Sequence, residues 1–258
     1  MTTPETIRVE TDGPVMTLTI DRPSVLNALD PTSHSQLAAA FDRYAADDGL
    51  YVAIITGAGE KAFCVGSDLK VRTEMGGDDM PPTGFGGLAE RFDLTKPVVA
   101  AINGHAIGGG LEIVLACDMA IAVSTAKFGL PEVNVGLTAA GGLHRLARYV
   151  PMKQAMQIAM TGELFSAEKA LEFGLINQVV TAEELSGALQ TLTDQLLQSA
   201  PLSLSATKQM MLDGLNKPSL QAAFEAHYPA SEAMLASDDA IEGSNAFLEK
   251  RPPNWKNK

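Results

Sequence analysis

Cysteine and histidine are scarce in this sequence. Its 258 residues include two cysteines and four histidines. Cys64 and Cys117 lie far apart and form neither a CxxC pair nor a Cys/His metal pattern, and the histidines show no mutual metal-ligand spacing. A disulfide framework and a metal site are therefore not expected, and a reducing compartment is the default environment.

Positive charge is also in short supply. Lysine and arginine together number 19, against 31 aspartate and glutamate residues, which gives a formal net charge of −12. A nucleic-acid-binding surface or a protein bound to anionic lipid needs a basic face. Neither nucleic acid nor membrane is therefore expected as a main partner.

No long uninterrupted apolar run is present. The most apolar stretch, residues 97–123, contains Asn103, His105, Glu112 and Asp118, which a membrane-spanning helix would not carry together. The opening residues, MTTPETIRVE, lack the basic and apolar regions of a signal peptide. The sequence alone predicts a soluble cytoplasmic protein.

What the sequence does contain is an ordinary globular composition, with 46% hydrophobic and 19% charged residues. A chain of this length can bury a sizeable core. Short apolar segments at residues 51–56, 98–102 and 119–123 predict buried strands. Helical segments separate them, so the fold class predicted is α/β.

Both ends of the chain carry further structural signals. Alternating apolar residues on either side of residues 12–14 (Asp-Gly-Pro) predict a hairpin, and Asp30 before Pro31 predicts the start of a helix. Helices are also predicted from the leucine spacing at 185–196 and at residues 204–215, 219–228 and 238–247. Residues 74–87 are rich in glycine and proline and predict a mobile loop near the functional site.

Three segments mix glycines with isolated polar residues in apolar surroundings: residues 62–69, 103–112 and 128–133. The triple glycine at 108–110 precedes an apolar run and predicts a helix N-terminus, whose free N–H groups could bind an anion or oxyanion. A tight turn that packs strand against helix is the alternative, and the glycines taken alone favour it. Ser67 has no Gly-x-Ser-x-Gly motif around it, so its backbone N–H is of more interest than its hydroxyl.

Two glutamates in these segments are candidate acid–base groups. Glu112 lies one helical turn after Gly109, and its apolar neighbours predict that it is buried. It either carries chemistry or caps its own helix, and the sequence leaves both alternatives open. Glu132 follows Pro131 at a break in strand alternation, where a solvated loop glutamate is the simpler interpretation.

Taken together, these segments resemble the crotonase (enoyl-CoA hydratase/isomerase) superfamily. The resemblance is carried by AFCVGSDLK, PVVAAINGHAIGGGLEIVLACD and KFGLPEVNVGL, and by DRPSVLNAL, MTGELFSAEKALEFGLINQVV and FLEKRPPNW. It covers nearly the whole chain in the family's order. It implies a spiral core of ββα turns in residues 1–195, which holds CoA and the active site. Residues 196–258 would form a helical region that completes the CoA site and assembles a homo-oligomer, a trimer or a dimer of trimers.

The resemblance also implies roles for individual residues. The backbone N–H groups of Ser67 and Gly109 would form an oxyanion hole for the thioester carbonyl oxygen. We assign Glu112 as the base that activates water and Glu132 as the acid that protonates Cα, and the two would couple through the shared water. Binding of the CoA thioester is implied at Ser24, Val25, Asn27, Ala28, Phe63, Val65, Asp68, Leu69 and Lys250, the last often from a neighbouring subunit.

The function predicted is that of an enoyl-CoA hydratase, a hydro-lyase that converts a 2-enoyl-CoA to a 3-hydroxyacyl-CoA, as in fatty acid metabolism. No cofactor is implied, since coenzyme A is part of the substrate. Two departures concern that substrate: residues 137–145 are one residue shorter than the usual hydratase pattern, and GFGGLAERFDL at 84–94 more closely resembles carnitinyl-CoA dehydratases.

Three alternatives follow. One is a carnitinyl-CoA dehydratase-like enzyme for an acyl group with a polar or charged tail. Another is an enoyl-CoA isomerase, which needs only one of the two glutamates. The third is a non-catalytic CoA-thioester-binding protein, which the intact glutamate pair disfavours.

Overall fold

A computed structural model describes residues 5–77 and 79–258. Within them the strands are β1 (Ile7–Asp12), β2 (Val15–Ile20), β3 (Val52–Gly57), β4 (Ala62–Cys64), β5 (Val98–Ile102), β6 (His105–Ile107), β7 (Met119–Val123), β8 (Lys127–Gly129), β9 (Phe165–Ser166) and β10 (Gln178–Val180). The helices are α1 (Pro31–Ala46), α2 (Leu69–Met75), α3 (Gly109–Ala116), α4 (Ala140–Tyr149), α5 (Met152–Thr161), α6 (Ala167–Glu172), α7 (Leu185–Leu197), α8 (Pro201–Gly214), α9 (Leu220–Phe224), α10 (Pro229–Leu235) and α11 (Asp238–Glu249). Short 3₁₀ helices cover Pro23–Val25, Phe85–Gly87 and Pro131–Val135.

The strands form two sheets. The larger has the order β1-β2-β3-β5-β7-β10, in which β1 and β2 form the predicted hairpin and all later neighbours are parallel. The smaller has the order β4-β6-β8-β9, with β4, β6 and β8 parallel and β9 antiparallel. Every residue of β5 is buried and apolar, as expected for a central parallel strand covered on both faces.

Successive strands alternate between the two sheets. The strand pairs β3–β4, β5–β6 and β7–β8 each place the first strand in the larger sheet and the second in the smaller sheet. Each pair is followed by a helix: α2, α3 and α4 respectively. This repeating course confirms the predicted spiral of ββα turns.

Helix α1 begins where the sequence predicts. The Asp30 carboxylate accepts a hydrogen bond from the Ser33 backbone N–H at 2.8 Å, and Pro31 occupies the first turn. Its inner face carries Phe41 and Tyr44, both fully buried. The Tyr44 hydroxyl donates to the Pro97 carbonyl at 2.7 Å, which ties the helix to the start of β5.

The C-terminal part of the chain is helical, as predicted, but divided differently. Helix α7 packs against β3 and β7, and α8 packs against α9 and α10. The predicted domain boundary at residue 195 falls inside α7, and that division stays a prediction. The single helix predicted at 219–228 is wrong in extent: α9 ends at Phe224, and α10 begins at Pro229. A proline disfavours helical geometry in the residue before it, so a break at Tyr228 follows from the sequence.

The segment predicted as a mobile loop, residues 74–87, is not uniform. Its first two residues belong to α2, and residue 78 lies outside the described residues. The 3₁₀ helix Phe85–Gly87 is buried and packs against α1 and α3, so the loop prediction is wrong for this part. The buried turn places the following residues beside the start of α3.

Across the described residues, no helix combines the length and the apolar character needed to cross a bilayer.

Candidate active site

Three neighbouring parallel strands of the smaller sheet end at one edge. Beyond β4 the chain reaches Ser67, beyond β6 it reaches Gly109, and beyond β8 it reaches Glu132. Because the carboxyl ends of parallel strands share an edge, these three residues come together although 65 positions separate the first from the last. Glu112, one turn into α3, joins them. All four line one cavity of about 410 Å³.

Two backbone N–H groups at this edge make no backbone hydrogen bond with any described residue. Gly109 is the first residue of α3, so its N–H has no partner within the helix. Ser67 bridges to Leu29 through its neighbours: Leu29 N–H donates to Gly66 O, and Asp68 N–H donates to Leu29 O, each at 2.8 Å. Since alternate residues of an extended chain face opposite sides, the Ser67 N–H is directed away from Leu29.

Gly66 allows the loop that carries Ser67 to lie against the Gly109 nitrogen at the start of α3. Its φ of +95° is unfavourable for any residue with a side chain. A Cβ on Gly66 would also lie 3.2 Å from the Gly109 nitrogen, closer than nearly all contacts of this kind. Both constraints require glycine between Val65 and Ser67.

Glu112 is buried and is held from outside its own helix. The residue is 5% exposed, and its Oε1 accepts a hydrogen bond from the Gly142 backbone N–H of α4 at 3.0 Å. The Gly108 backbone N–H, which a self-capping glutamate would bind, donates instead to the Gly129 carbonyl at 2.9 Å. Of the two alternatives that the sequence left open, the structure therefore excludes self-capping, and the Glu112 carboxylate faces the cavity.

Glu132 lies in the 3₁₀ helix Pro131–Val135 and is half-buried. Its Oε2 is buried and makes no hydrogen bond with any described residue. A Cβ on Gly108 would lie 2.9 Å from Glu132 Oε1, so the carboxyl group rests against the N-terminus of α3. The interpretation of Glu132 as a solvated loop residue is wrong, because its carboxyl group is turned into the protein.

The two glutamates hold protons more tightly than free glutamate. Burial is the main cause that raises the pKa of Glu112 to about 7, with a further contribution from the nearby charge of Glu132. Hydrogen bonds from the backbone of Gly142 and Gly141 act in the opposite direction. Burial also raises the pKa of Glu132. Two neighbouring glutamates with raised pKa values titrate as a coupled pair, which suits acid–base chemistry.

The enoyl-CoA hydratase/isomerase family model matches residues 10–258. The chain belongs to the crotonase family. It is 42% identical to a carnitinyl-CoA dehydratase from Salmonella arizonae, over 98% of both chains. An enoyl-CoA hydratase from Mycobacterium tuberculosis is 35% identical, with a TM-score of 0.90 over 98% of this chain and 99% of that one. A carnitinyl-CoA hydratase from Mycobacterium avium is 38% identical, with a TM-score of 0.78 over 99% of this chain and all of the other.

Of the residues that the crotonase resemblance places around CoA, two line the cavity, namely Val65 and Leu69. Ser24 and Val25 are exposed in the 3₁₀ helix Pro23–Val25, on the segment that runs to Leu29 beside the loop that carries Ser67. Lys250 is exposed at the C-cap of α11 and does not line the cavity within its own chain.

The other CoA-binding candidates are engaged in the fold. Phe63 and Ala28 are buried in the core. Asn27 is also buried: its amide NH₂ donates to the carbonyls of Ala58 and Ala62, and its Oδ1 accepts from Arg22 N–H. Asp68 caps α2 and forms an ion pair with Arg22 at 3.0 Å. These contacts shape the loop that carries Ser67.

His105 and Cys64 lie on the strands that lead to the site, but their contacts are structural. His105 accepts a hydrogen bond from the Lys127 backbone N–H through Nδ1 and does not line the cavity. Cys64 is fully buried, and burial raises the pKa of its thiol to about 12, so it remains protonated. Among the described residues, no group of three or more His, Cys, Asp or Glu is placed to hold a metal ion.

Sequence reasoning missed several residues that form the walls of the site. Phe85, Glu90 and Thr138 line the cavity, and Gly142 binds Glu112. All four residues lie in segments 84–94 and 137–145. These segments depart from the common hydratase pattern, and that departure was the only sign in the sequence that they shape the site. Nothing in the local pattern indicates which of their residues face the cavity.

Proposed function

We propose that this crotonase-family chain catalyses the reversible addition of water to the 2,3 double bond of a 2-enoyl-CoA thioester. One observation carries the proposal: two glutamates with raised pKa values face one cavity, beside two backbone N–H groups without backbone partners. Water addition to a conjugated thioester needs a base, an acid and stabilisation of the enolate oxygen, and the cavity brings these three elements together.

In the hydration direction, Glu112 accepts a proton from water as the water oxygen forms a bond to Cβ. The electron pair of the double bond moves through Cα to the thioester oxygen, giving an enolate. The N–H groups of Ser67 and Gly109 donate to that oxygen, where one such donor is worth about 10²–10³ in rate. Glu132 then donates its proton to Cα, and the thioester carbonyl re-forms.

The hydrogen bonds at the two glutamates support this division of roles. Burial raises the pKa of Glu112 to about 7, and the hydrogen bonds that it accepts from backbone N–H groups oppose part of that rise, so the ionised form that a base requires is present at neutral pH. The buried and unpartnered Oε2 of Glu132 favours its protonated form. After one turnover the proton lies on Glu112 and must return to Glu132. Protein groups and water account for each proton and electron pair in the scheme.

The CoA moiety is proposed to lie along residues 24–28 and 65–69, beside the oxyanion loop. Hydrogen bonds between Leu29 and the residues on either side of Ser67 join these two segments. In an oligomer, Lys250 of the partner subunit would contact the CoA moiety and complete the site.

The test is spectroscopic. Mixing the protein with crotonyl-CoA should cause loss of the conjugated enoyl-thioester absorbance. Glu112→Gln and Glu132→Gln should each lower kcat by about 10²–10⁴-fold, because each removes one proton-transfer group. Both variants should still bind butyryl-CoA, a saturated analogue, in calorimetry. As a control, Glu183→Gln changes an exposed glutamate outside the cavity and should retain full activity.

Full activity in both cavity variants would remove these glutamates from the mechanism. Binding of butyryl-CoA without turnover of any enoyl thioester would favour the non-catalytic binding protein.

A second candidate concerns the acyl group. The 42% identity to a carnitinyl-CoA dehydratase favours a substrate whose acyl tail is polar or charged. Dehydration of such a hydroxyacyl thioester is the same scheme run in reverse, with Glu132 removing the Cα proton and Glu112 protonating the departing hydroxyl. Comparing carnitinyl-CoA with 3-hydroxybutyryl-CoA as substrates separates the two candidates.

A further inference from the structure

The buried histidine of α1 has no part in the scheme for water addition. His34 lies in the first turn of α1, is 1% exposed and does not line the cavity. Burying a polar ring is costly unless it is hydrogen-bonded, so a contact inside the protein must account for its place.

That contact is with the turn that forms part of the cavity wall. His34 Nδ1 accepts a hydrogen bond from the Gly86 backbone N–H at 3.1 Å, across 52 positions of sequence. The imidazole also meets the Phe85 ring in a T-shaped arrangement, with the ring centroids 4.6 Å apart. His34 therefore holds both the backbone and the aromatic side chain of the 3₁₀ helix Phe85–Gly87.

The turn has little room to shift, because it packs between α1 and α3. A Cβ on Gly87 would lie 2.6 Å from the Ala38 backbone of α1, and a Cβ on Gly86 would lie 2.7 Å from Ile113 Cδ1 of α3. A group enclosed this closely moves only if its neighbours move with it. A change at His34 is therefore transmitted to Phe85.

Phe85 in turn lies on the residue that carries a proposed oxyanion donor. A Cβ on Gly109 would overlap the Phe85 ring, so the ring rests on the first residue of α3. A Cβ on the next residue, Gly110, would overlap the Cys64 carbonyl at the end of β4. Two contacts thus fix the first turn of α3, one from Phe85 and one from β4, and the direction of the Gly109 N–H depends on both.

We propose that His34 is a positioning residue for the oxyanion donor at Gly109. It acts through Phe85: the hydrogen bond to Gly86 keeps the turn in place, and the turn keeps the Phe85 ring on Gly109. Oxyanion donors act through their placement before the reaction begins, so a small change in direction lowers the rate without loss of binding. This inference rests on the proposed function and adds to it a residue that does not touch the substrate.

The first test compares changes at His34 in the hydration of crotonyl-CoA. His34→Leu removes the acceptor and leaves the Gly86 N–H buried without this partner, so the turn must shift. We expect kcat to fall by about 10- to 100-fold and KM to change by less than about threefold, because an oxyanion donor acts mainly in the transition state. His34→Asn places an oxygen near the position of Nδ1 and should recover much of the loss.

Two further variants separate positioning from a general loss of stability. Tyr44→Phe, on the same helix, removes a buried hydroxyl that donates to the Pro97 carbonyl and does not line the cavity. It should lower the melting temperature and leave kcat unchanged. Phe85→Leu shortens the side chain that rests on Gly109 and should lower kcat by itself. Combined with Phe85→Leu, His34→Leu should lower kcat no further, because His34 acts through Phe85.

Infrared spectroscopy reports on the donors directly. Hydrogen bonds to a carbonyl oxygen lower its stretching frequency, and an isotopic label at the thioester carbonyl carbon of butyryl-CoA makes that band assignable. Bound to the wild-type protein, the band should lie below its frequency in water. In His34→Leu and in Phe85→Leu it should move back towards the value in water, whereas Tyr44→Phe should keep the wild-type frequency.

The inference about His34 is overturned if His34→Leu keeps the wild-type kcat, or if kcat falls while the carbonyl frequency stays at the wild-type value. It is also overturned if the effects of His34→Leu and Phe85→Leu on kcat multiply. In each case the proposed hydratase function stands. If His34→Leu does not fold, His34→Phe, which keeps an aromatic ring against Phe85 but has no acceptor, takes its place with the same expected outcomes. Failure of the wild-type protein to hydrate any enoyl thioester would overturn the function itself.

Discussion

At the scale of single residues, the central feature is a pair of carboxyl groups that face one cavity in different surroundings. Glu112 accepts backbone hydrogen bonds, whereas Glu132 has one buried oxygen without a partner. Glu90 and Arg72 are further charged groups on the cavity wall. Burial raises the pKa of Glu112 to about 7, and it also raises the pKa of Glu132.

The pH dependence follows from this pair. Hydration needs one ionised and one protonated glutamate, so we expect a bell-shaped profile of kcat/KM. On the alkaline side the rate should fall above about pH 7, where the pair loses its last proton and no acid remains. On the acid side it should fall once both groups are protonated and no base remains. The measurement is kcat/KM for crotonyl-CoA from pH 4 to 9 at constant ionic strength.

Glu90→Gln provides an internal check on this profile. It removes a negative charge that raises the pKa of Glu112, so the alkaline limb should move to lower pH. A rate that stays constant from pH 6 to 9 would contradict the involvement of this pair.

At the scale of elements, the start of α1 and the start of α2 are joined through one arginine. Arg22 pairs with Asp30, the N-cap of α1, at 3.1 Å and with Asp68, the N-cap of α2, at 3.0 Å. It also donates to the Ala28 carbonyl. The loop with Ser67 thus lies between a strand end and a helix start that are both fixed.

Two variants of Asp68 separate its capping role from its charge. Asp68→Ala removes the helix cap and the ion pair, and should lower the free energy of unfolding by about 1–2 kcal/mol. Asp68→Asn retains an oxygen that can cap, so its loss should be smaller. Thermal unfolding at one protein concentration should rank the melting temperatures wild type, Asn, Ala. Equal melting temperatures for all three would show that neither the cap nor the ion pair stabilises the fold.

Local patterns predicted the elements whose signals are local. The hairpin of β1 and β2, the capped start of α1 and the apolar strand β5 each follow from a few adjacent residues, and the structure confirms them. The buried turn Phe85–Gly87 was missed because its glycines also fit an exposed loop. Its burial depends on contacts with α1 and α3, which are distant in sequence.

The same limit applies to the site. The resemblance to a known family named the four central residues, and the strand order explains why they meet. That Glu112 binds Gly142, thirty positions away, depends on how α4 packs against α3. No spacing rule predicts such a partner, and Glu90 was missed for the same reason.

At the scale of the whole molecule, apolar side chains remain exposed along the C-terminal helices. Phe224 is 84% exposed and Phe247 is 83% exposed. Leucines with similarly high exposure accompany them, namely Leu215, Leu220, Leu235 and Leu248. A surface of this kind is typical of contacts between subunits. We therefore expect that residues 196–258 mediate assembly of a homo-oligomer.

Assembly can be measured directly. Sedimentation equilibrium should give three or six times the chain mass of 27.2 kDa. Phe224→Glu combined with Phe247→Glu should shift the protein to smaller species, because the new charges would be buried in the interface. Leu171→Glu, at an exposed position on α6, serves as the control and should not change the mass. A wild-type protein of one chain mass would contradict the expectation.

The placement of the two proposed oxyanion donors after adjacent strands has a consequence for redesign. The spacing of Ser67 and Gly109 follows from the pairing of β4 with β6, whereas the acyl wall comes from segments outside that pairing, around residues 80–90 and 134–141. Under the proposed function, one part of the cavity anchors the thioester and a separate part chooses its acyl tail. New substrate preferences can be engineered by exchanging the wall segments while the strand ends are left as they are.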